Sequence, residues 1–251
     1  MKLIFIRHGD PNYVTDRLNE TGLKEASSLK EYLAGKELGN IFVSPLGRAR
    51  QTAEIALGSL ENVTTFDWLR EFNTQLDLNN HPDIQIAYNV KPIMNGEYKL
   101  RETWDMLPRF YYGNPELHDP KLWKETILSK YSQHVEQYDY VTKEFDKLLS
   151  KYGYVRSGSH YQTEQGNHET LTFFCHFGII CVMLSHLMNI SPYVLLQNIC
   201  IPPTGISTVY TEEREKGIIN FRTTQIGSTP HLEQPSFNGR FVEVFEDEGR
   251  H

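Results

Sequence analysis

The chain has 251 residues, enough to bury a substantial core as one large domain or as a domain carrying an insertion. With 32 acidic against 25 basic side chains and a formal net charge of −7, it is not built to coat nucleic acid, although a local basic pocket is compatible with that balance. Three cysteines, Cys175, Cys181 and Cys200, lie late in or beside apolar runs with no C-x-x-C pair, which fits reduced packing residues rather than a disulfide framework or zinc.

In chain order, "KLIFI" reads as a continuous apolar strand buried on both faces, and only four apolar residues separate Lys2 from Arg7, far short of a secretory apolar region. The expectation is a cytoplasmic protein. "GLKEASSLKEYLAG" follows with helical periodicity and a terminal glycine, "NIFVSP" is a second short strand stopped by Pro45, and "RARQTAEIALGSL" is a second helix. A middle section from about residue 73 to 165 differs from its surroundings, being rich in Tyr, Trp, Asn and Pro and ending in a helical stretch, "SKYSQHVEQYDYVTKEFDKLLSKYG". The stretch Leu171–Ile190 is almost long enough to cross a bilayer, but His176, Gly178, Ser185 and His186 divide it into a buried strand, "TLTFFCH", and a core helix, "GIICVMLSHLM". "GISTVYTEE" and "GIINFRTTQIG" resemble a closing hairpin. Strand, turn and helix repeated in this way predict an α/β fold of three layers: a doubly wound, mostly parallel sheet with helices on both faces.

In such sheets functional groups gather at the carboxyl ends of the strands. Arg7 and His8 follow the first strand, Arg48 follows the second, and His176 ends the strand "TFFC", so these four residues are predicted to converge. The chain also carries "RHG" at Arg7 to Gly9, "LNETGLKEA" from Leu18, "SPLGRARQTAE" from Ser44, "CHFG" from Cys175 and "IGSTPHLE" from Ile226. In that set, order and spacing the sequence resembles the histidine phosphatase, or phosphoglycerate mutase-like, superfamily.

Phosphoryl transfer needs a nucleophile in line with phosphorus and positive groups around the equatorial oxygens. The resemblance implies that His8 is the nucleophile, forming a phosphohistidine, a role for which a neutral imidazole is competent. Arg7 and Arg48 would clamp the phosphate with planar donor forks, and His176 would add a donor on the far side, acting electrostatically if protonated. The reading requires no metal and no cofactor. A general acid must protonate the leaving alkoxide and then activate water. Family members carry a glutamate shortly after the second helix with a leucine two residues before it, a place that "WLREFNT" gives to Glu71, with Glu169 as the alternative. Arg50 reads as part of an exposed helix face, His186 as structural, and Ser44 as a cap.

The resemblance further implies that the middle section is an inserted, mainly helical cap, at about residues 73–165 of a single domain. Trp104, Phe110, Tyr111 and Tyr112 are candidates for lining the pocket mouth, although most aromatics there should form a satellite core. Mutases of the superfamily place an asparagine six residues after the nucleophile. Here that position is Val14, and Asn12 is the substitute candidate for substrate contact. The expected activity is hydrolysis of a small phosphate ester, with phosphoglycerate mutase-type transfer or non-catalytic binding of a phosphorylated ligand as the alternatives. No nucleic acid or membrane partner is expected, and the sequence leaves oligomeric state and substrate identity open.

Overall fold

The apolar runs become strands and the amphipathic stretches helices in the computed structural model of the chain, which describes residues 1–88 and 96–233. Residues 89–95, within the middle section, and residues 234–251, which include the acidic tail "EVFEDEGRH", lie outside the described residues. In chain order the elements are β1 (Lys2–Arg7), β2 (Pro11–Asn12), β3 (Arg17–Leu18), α1 (Glu20–Leu33), β4 (Asn40–Val43), α2 (Gly47–Leu57) and β5 (Val63–Thr65). There follow β6 (Gln75–Leu76), β7 (Arg101–Glu102), α3 (Pro108–Gly113), α4 (His134–Lys151), β8 (Val155–Ser157), β9 (His160–Gln162) and β10 (Thr170–Cys175). The last are α5 (Phe177–Met188), α6 (Pro192–Asn198), β11 (Ile206–Glu215) and β12 (Ile218–Ser228).

The described residues divide into two compact units: Met1–Glu71, Glu144–Ile180 and the chain from Cys200 form the first, Phe72–Lys143 and Cys181–Ile199 the second. The first unit is built on a sheet of order β5-β4-β10-β1-β11-β12-β9-β8. Strands β5, β4, β10 and β1 run parallel, and β11, β12, β9 and β8 extend the sheet antiparallel. Alternation along the parallel strands separates two faces. Ile4, Ile6, Val43, Phe174 and Ile206 form a core with Leu29 and Leu33 of α1 and Ala53 and Ala56 of α2. Phe5, Phe42 and Phe173 pack together on the other face, their neighbouring ring centroids 5.1 and 5.2 Å apart, with Trp68 and Phe145 of α4 against them. Each such aromatic pair adds about 0.5–1.5 kcal/mol beyond its buried area.

The expected insertion at 73–165 overlaps the second unit without coinciding with it. Residues 144–165 belong to the first unit, because Phe145 packs under Phe5 and Phe173 and β9 pairs with β12. The second unit gains Cys181–Ile199 in exchange. Its proline-led segments form short 3₁₀ stretches and the six-residue α3 rather than long helices, and α4 starts at His134, after a 3₁₀ turn at Ile127–Lys130. Among the described residues no helix is long and apolar enough to cross a membrane; Leu171–Ile190 splits into β10 and α5 as expected.

His134 is fully buried among Trp123, Tyr138 and Tyr193, and burial lowers its pKa from 6.5 to about 4. The unfolded chain therefore binds a proton between about pH 6.5 and pH 4 that the folded chain refuses. Stability from this site is complete above pH 6.5 and falls as pH drops toward 4, by roughly 3 kcal/mol in total. Urea midpoints at pH 7 and pH 5 should differ less for His134→Phe than for the wild type. Equal pH dependence in the two proteins would contradict the assignment.

Candidate active site

Register puts the candidate residues at one edge. Arg7 of β1 pairs with Cys175 of β10, and Phe174 pairs with Val43 of β4. The ladder then continues one residue past the strands, His8 N–H donating to the Cys175 carbonyl at 3.0 Å and Ser44 N–H to the Phe174 carbonyl at 2.9 Å. Arg7, His8, Ser44 and His176 therefore leave three parallel strands side by side.

His8 is 1 % exposed. Its Nδ1 lies 2.7 Å from the Gly9 carbonyl, which can only accept, so Nδ1 carries the proton. Arg48 Nε–H donates to His8 Nε2 at 3.2 Å, which places the lone pair on Nε2. Burial, then the charges of Arg7 and Arg48, hold the imidazole neutral well below its ordinary pKa, against the raising effect of the Gly9 carbonyl.

The second residue of α2, Arg48, is also held by Asp16, whose Oδ1 accepts from Arg48 Nη1 at 2.5 Å. The other carboxylate oxygen of Asp16 accepts from Gly47 N–H at 2.6 Å. The helix's own N-cap, Leu46, has no side chain able to cap, so Asp16 supplies the missing acceptor from 31 residues upstream. Position 47 must be glycine, since a Cβ there would sit 2.3 Å from the Asp16 carbonyl oxygen. Thr52, one turn after Arg48, accepts from Gly9 N–H at 3.0 Å and donates to the Arg48 carbonyl at 2.8 Å, tying the two arms of the site together. The "NETGLKEA" stretch supports the same loop: Asn19 caps α1, Glu25 accepts from Asp10 N–H at 2.7 Å, and a Cβ on Gly22 would collide with the Asp10 backbone.

His176 is fully buried, its ring centroid 5.0 Å from that of His8. Its Nε2 meets Ser44 Oγ at 2.7 Å. Burial, followed by the electrostatic influence of His8 and the charges of Arg48, Arg7 and Arg70, pushes its pKa well below 6.5, so of the two forms open to it His176 takes the neutral one. Ser44 does cap, accepting from Leu46 N–H at 3.3 Å, but it also orients His176. Two nitrogens in this cluster, the Arg7 Nε donor and His176 Nδ1, are buried with no hydrogen-bond partner among the described residues.

Glu71 Oε1 accepts from Ile179 N–H at 3.3 Å, in the first turn of the helix that follows His176. Glu169 precedes β10, at the strand end opposite His176 and about 20 Å away at 3.3 Å per residue. Its carboxylate accepts from Asn40, and the alternative assignment falls. Asn12 is exposed, and its side-chain carbonyl accepts from Val14 and Thr15 N–H at 3.0 and 3.3 Å, which closes its own turn rather than reaching His8. Tyr13, 65 % exposed, instead lies over Arg48, the guanidinium carbon 5.4 Å from the ring centroid.

Trp104 and Tyr111 both lie in the second unit. Trp104 stacks on Phe72 at 5.9 Å and its carbonyl accepts from the Gln197 amide. Tyr111 is buried, its hydroxyl accepting from Asn198 at 3.2 Å, so it belongs to the satellite core. Phe110 is half-buried and Tyr112 exposed. Arg50 is on the exposed face of α2, donating to Thr65, and His186 packs beside Tyr138. Sequence reasoning missed Asp16 and Thr52. The spacing of Arg48 and Thr52, four residues apart on one helix face, could have revealed the second.

Residues 3–94 match the histidine phosphatase superfamily (branch 1). A 67-residue stretch is 39 % identical to the fructose-2,6-bisphosphatase TIGAR B of Danio rerio, covering 23 % of this chain, and the match spans about a quarter of that protein's length (26 %). Among solved structures, a phosphoserine phosphatase mutant from Entamoeba histolytica, in complex with phosphoserine, superposes with a TM-score of 0.57 at 19 % identity over 92 % of this chain and 98 % of that one. A putative alpha-ribazole-5'-P phosphatase from Escherichia coli gives 0.53 at 15 % identity over 91 % and 98 %. At these identities the two structures establish the shared α/β fold.

Proposed function

We propose that this chain of the histidine phosphatase superfamily hydrolyses a small phosphate monoester through a phosphohistidine at His8, without a metal. The observation that carries the reading is a pair of buried nitrogens without partners, the Arg7 Nε donor and His176 Nδ1, beside a neutral imidazole whose lone pair is on Nε2. Buried donors left unmatched by protein are costly, and phosphate oxygens would match them.

His8 Nε2 attacks phosphorus in line, forming the N–P bond as the ester P–O bond breaks. Arg48 moves its Nε–H from the attacking nitrogen to an equatorial oxygen, still steered by Asp16, and Arg7 and His176 take the others. Glu71 donates the proton to the leaving alkoxide, then takes one from the water that cleaves the phosphohistidine. The fixed guanidinium charges supply the electrostatic role that a bound cation has in other phosphoryl-transfer sites. Val14, in the place where mutases of this superfamily carry asparagine, is 97 % exposed, which favours hydrolysis over retention of the phosphoryl group.

The test is phosphate release from a panel of phosphomonoesters between pH 5 and 7.5, with and without EDTA. Turnover that survives the chelator is expected. Activity that EDTA removes and a divalent ion restores would overturn the metal-free account.

A further inference from the structure

The segment Ile201–Gly205, "IPPTG", grips the proposed nucleophile from behind. The Ile201 carbonyl accepts from Arg7 Nη1 at 2.6 Å and the Gly205 carbonyl from Arg7 N–H at 3.1 Å, while Thr204 N–H donates to the His8 carbonyl at 3.2 Å. Thr204 is fully buried and has φ of 56°, a left-handed conformation in which a β-branched residue is strained. Something must hold it there.

Its hydroxyl does so. Oγ1 donates its one proton to the Pro203 carbonyl at 2.7 Å and lies 2.8 Å from His231 Nε2, so His231 Nε2–H is the donor of that second bond. His231 is anchored in turn beside Tyr32 of α1, ring centroids 5.8 Å apart. This histidine lies in the "IGSTPHLE" motif, to which the phosphate chemistry itself assigns no role.

We infer that His231 is a positioning residue for the His8 site: by fixing Thr204 in its strained conformation it sets the backbone position of the nucleophile, although it touches neither substrate nor the reacting atoms. The inference rests on His8 being the nucleophile, and a non-activity readout separates the two. A backbone held off target by a fraction of an ångström loses rate more than affinity.

The experiment compares His231→Ala, His231→Gln and the double variant His231→Ala with Thr204→Gly. Glycine adopts the left-handed conformation without strain, so it should make the histidine dispensable. His231→Ala should lower kcat by roughly ten- to a hundredfold with little change in KM. His231→Gln, which still offers a donor, and the double variant should each recover most of that loss. In parallel, the ring ¹⁵N resonances of His8 should shift in His231→Ala and return in the double variant. A kcat within about twofold of wild type in His231→Ala, or a double variant as impaired as the single one, or unmoved His8 resonances, would overturn the inference. A wild type that turns over no ester, yet shows the same pattern of His8 shifts, would sink the phosphatase reading and leave the positioning role standing.

Discussion

Alanine at position 8 should remove turnover, lowering kcat by roughly four orders of magnitude or more, while inorganic phosphate still binds. The size follows from the role: no other imidazole in the site has its Nε2 both unprotonated and addressed by a cation. The His176 ring is 5.0 Å away, but its Nε2 is engaged by Ser44, so it cannot substitute. Binding survives because Arg7, Arg48 and the donors around them remain. The same assignment fixes the pH dependence of the wild type. Burial and the neighbouring guanidinium groups lower the His8 pKa well below 6.5, so the proposed nucleophile stays neutral as pH falls through that value. The acid limb of kcat/KM should accordingly lie below the usual histidine range, with rates near pH 6 close to those at pH 7. Turnover retained in His8→Ala, or an acid limb centred near 6.5, would count against His8 as a buried neutral nucleophile.

Much of this arrangement is legible in the linear sequence because it rests on local signals. Continuous apolar runs mark β1, β4 and β10, and the carboxyl-end rule then brings Arg7, His8, Arg48 and His176 together. What escapes reading is what depends on long-range geometry. The β5 strand is three residues long, two of them exposed threonines, and is ordered by pairing with β4 rather than by its own pattern. Asp16 acts on α2 from 31 positions away, and the Ile201 carbonyl reaches Arg7 across 194. A carboxylate in an exposed loop and a backbone carbonyl have no signature in composition or periodicity. The boundary of the second unit escapes for a related reason: residues 144–151 continue one amphipathic helix, and only Phe145 packing under the sheet shows that the first unit resumes inside it.

Glu71→Gln should separate chemistry from binding. Glutamine preserves the volume and the acceptor for Ile179 N–H, so the loop and the α5 N-terminus keep their geometry. It cannot carry the proton. With an alkyl phosphate, whose leaving alkoxide is strongly basic, kcat should fall by about 10²–10⁴-fold, or about 3–5 kcal/mol of barrier. An aryl ester such as p-nitrophenyl phosphate leaves without help, so its first step should proceed. Water attack on the phosphohistidine lacks its base in the same variant, and the enzyme should then accumulate as phosphoenzyme, giving a stoichiometric burst of p-nitrophenol followed by slow turnover. Equal losses on both esters with no burst would mean that Glu71 shapes the site through Ile179 rather than moving protons. The two outcomes differ because a proton donor matters in proportion to leaving-group basicity, whereas a misplaced helix weakens every substrate alike.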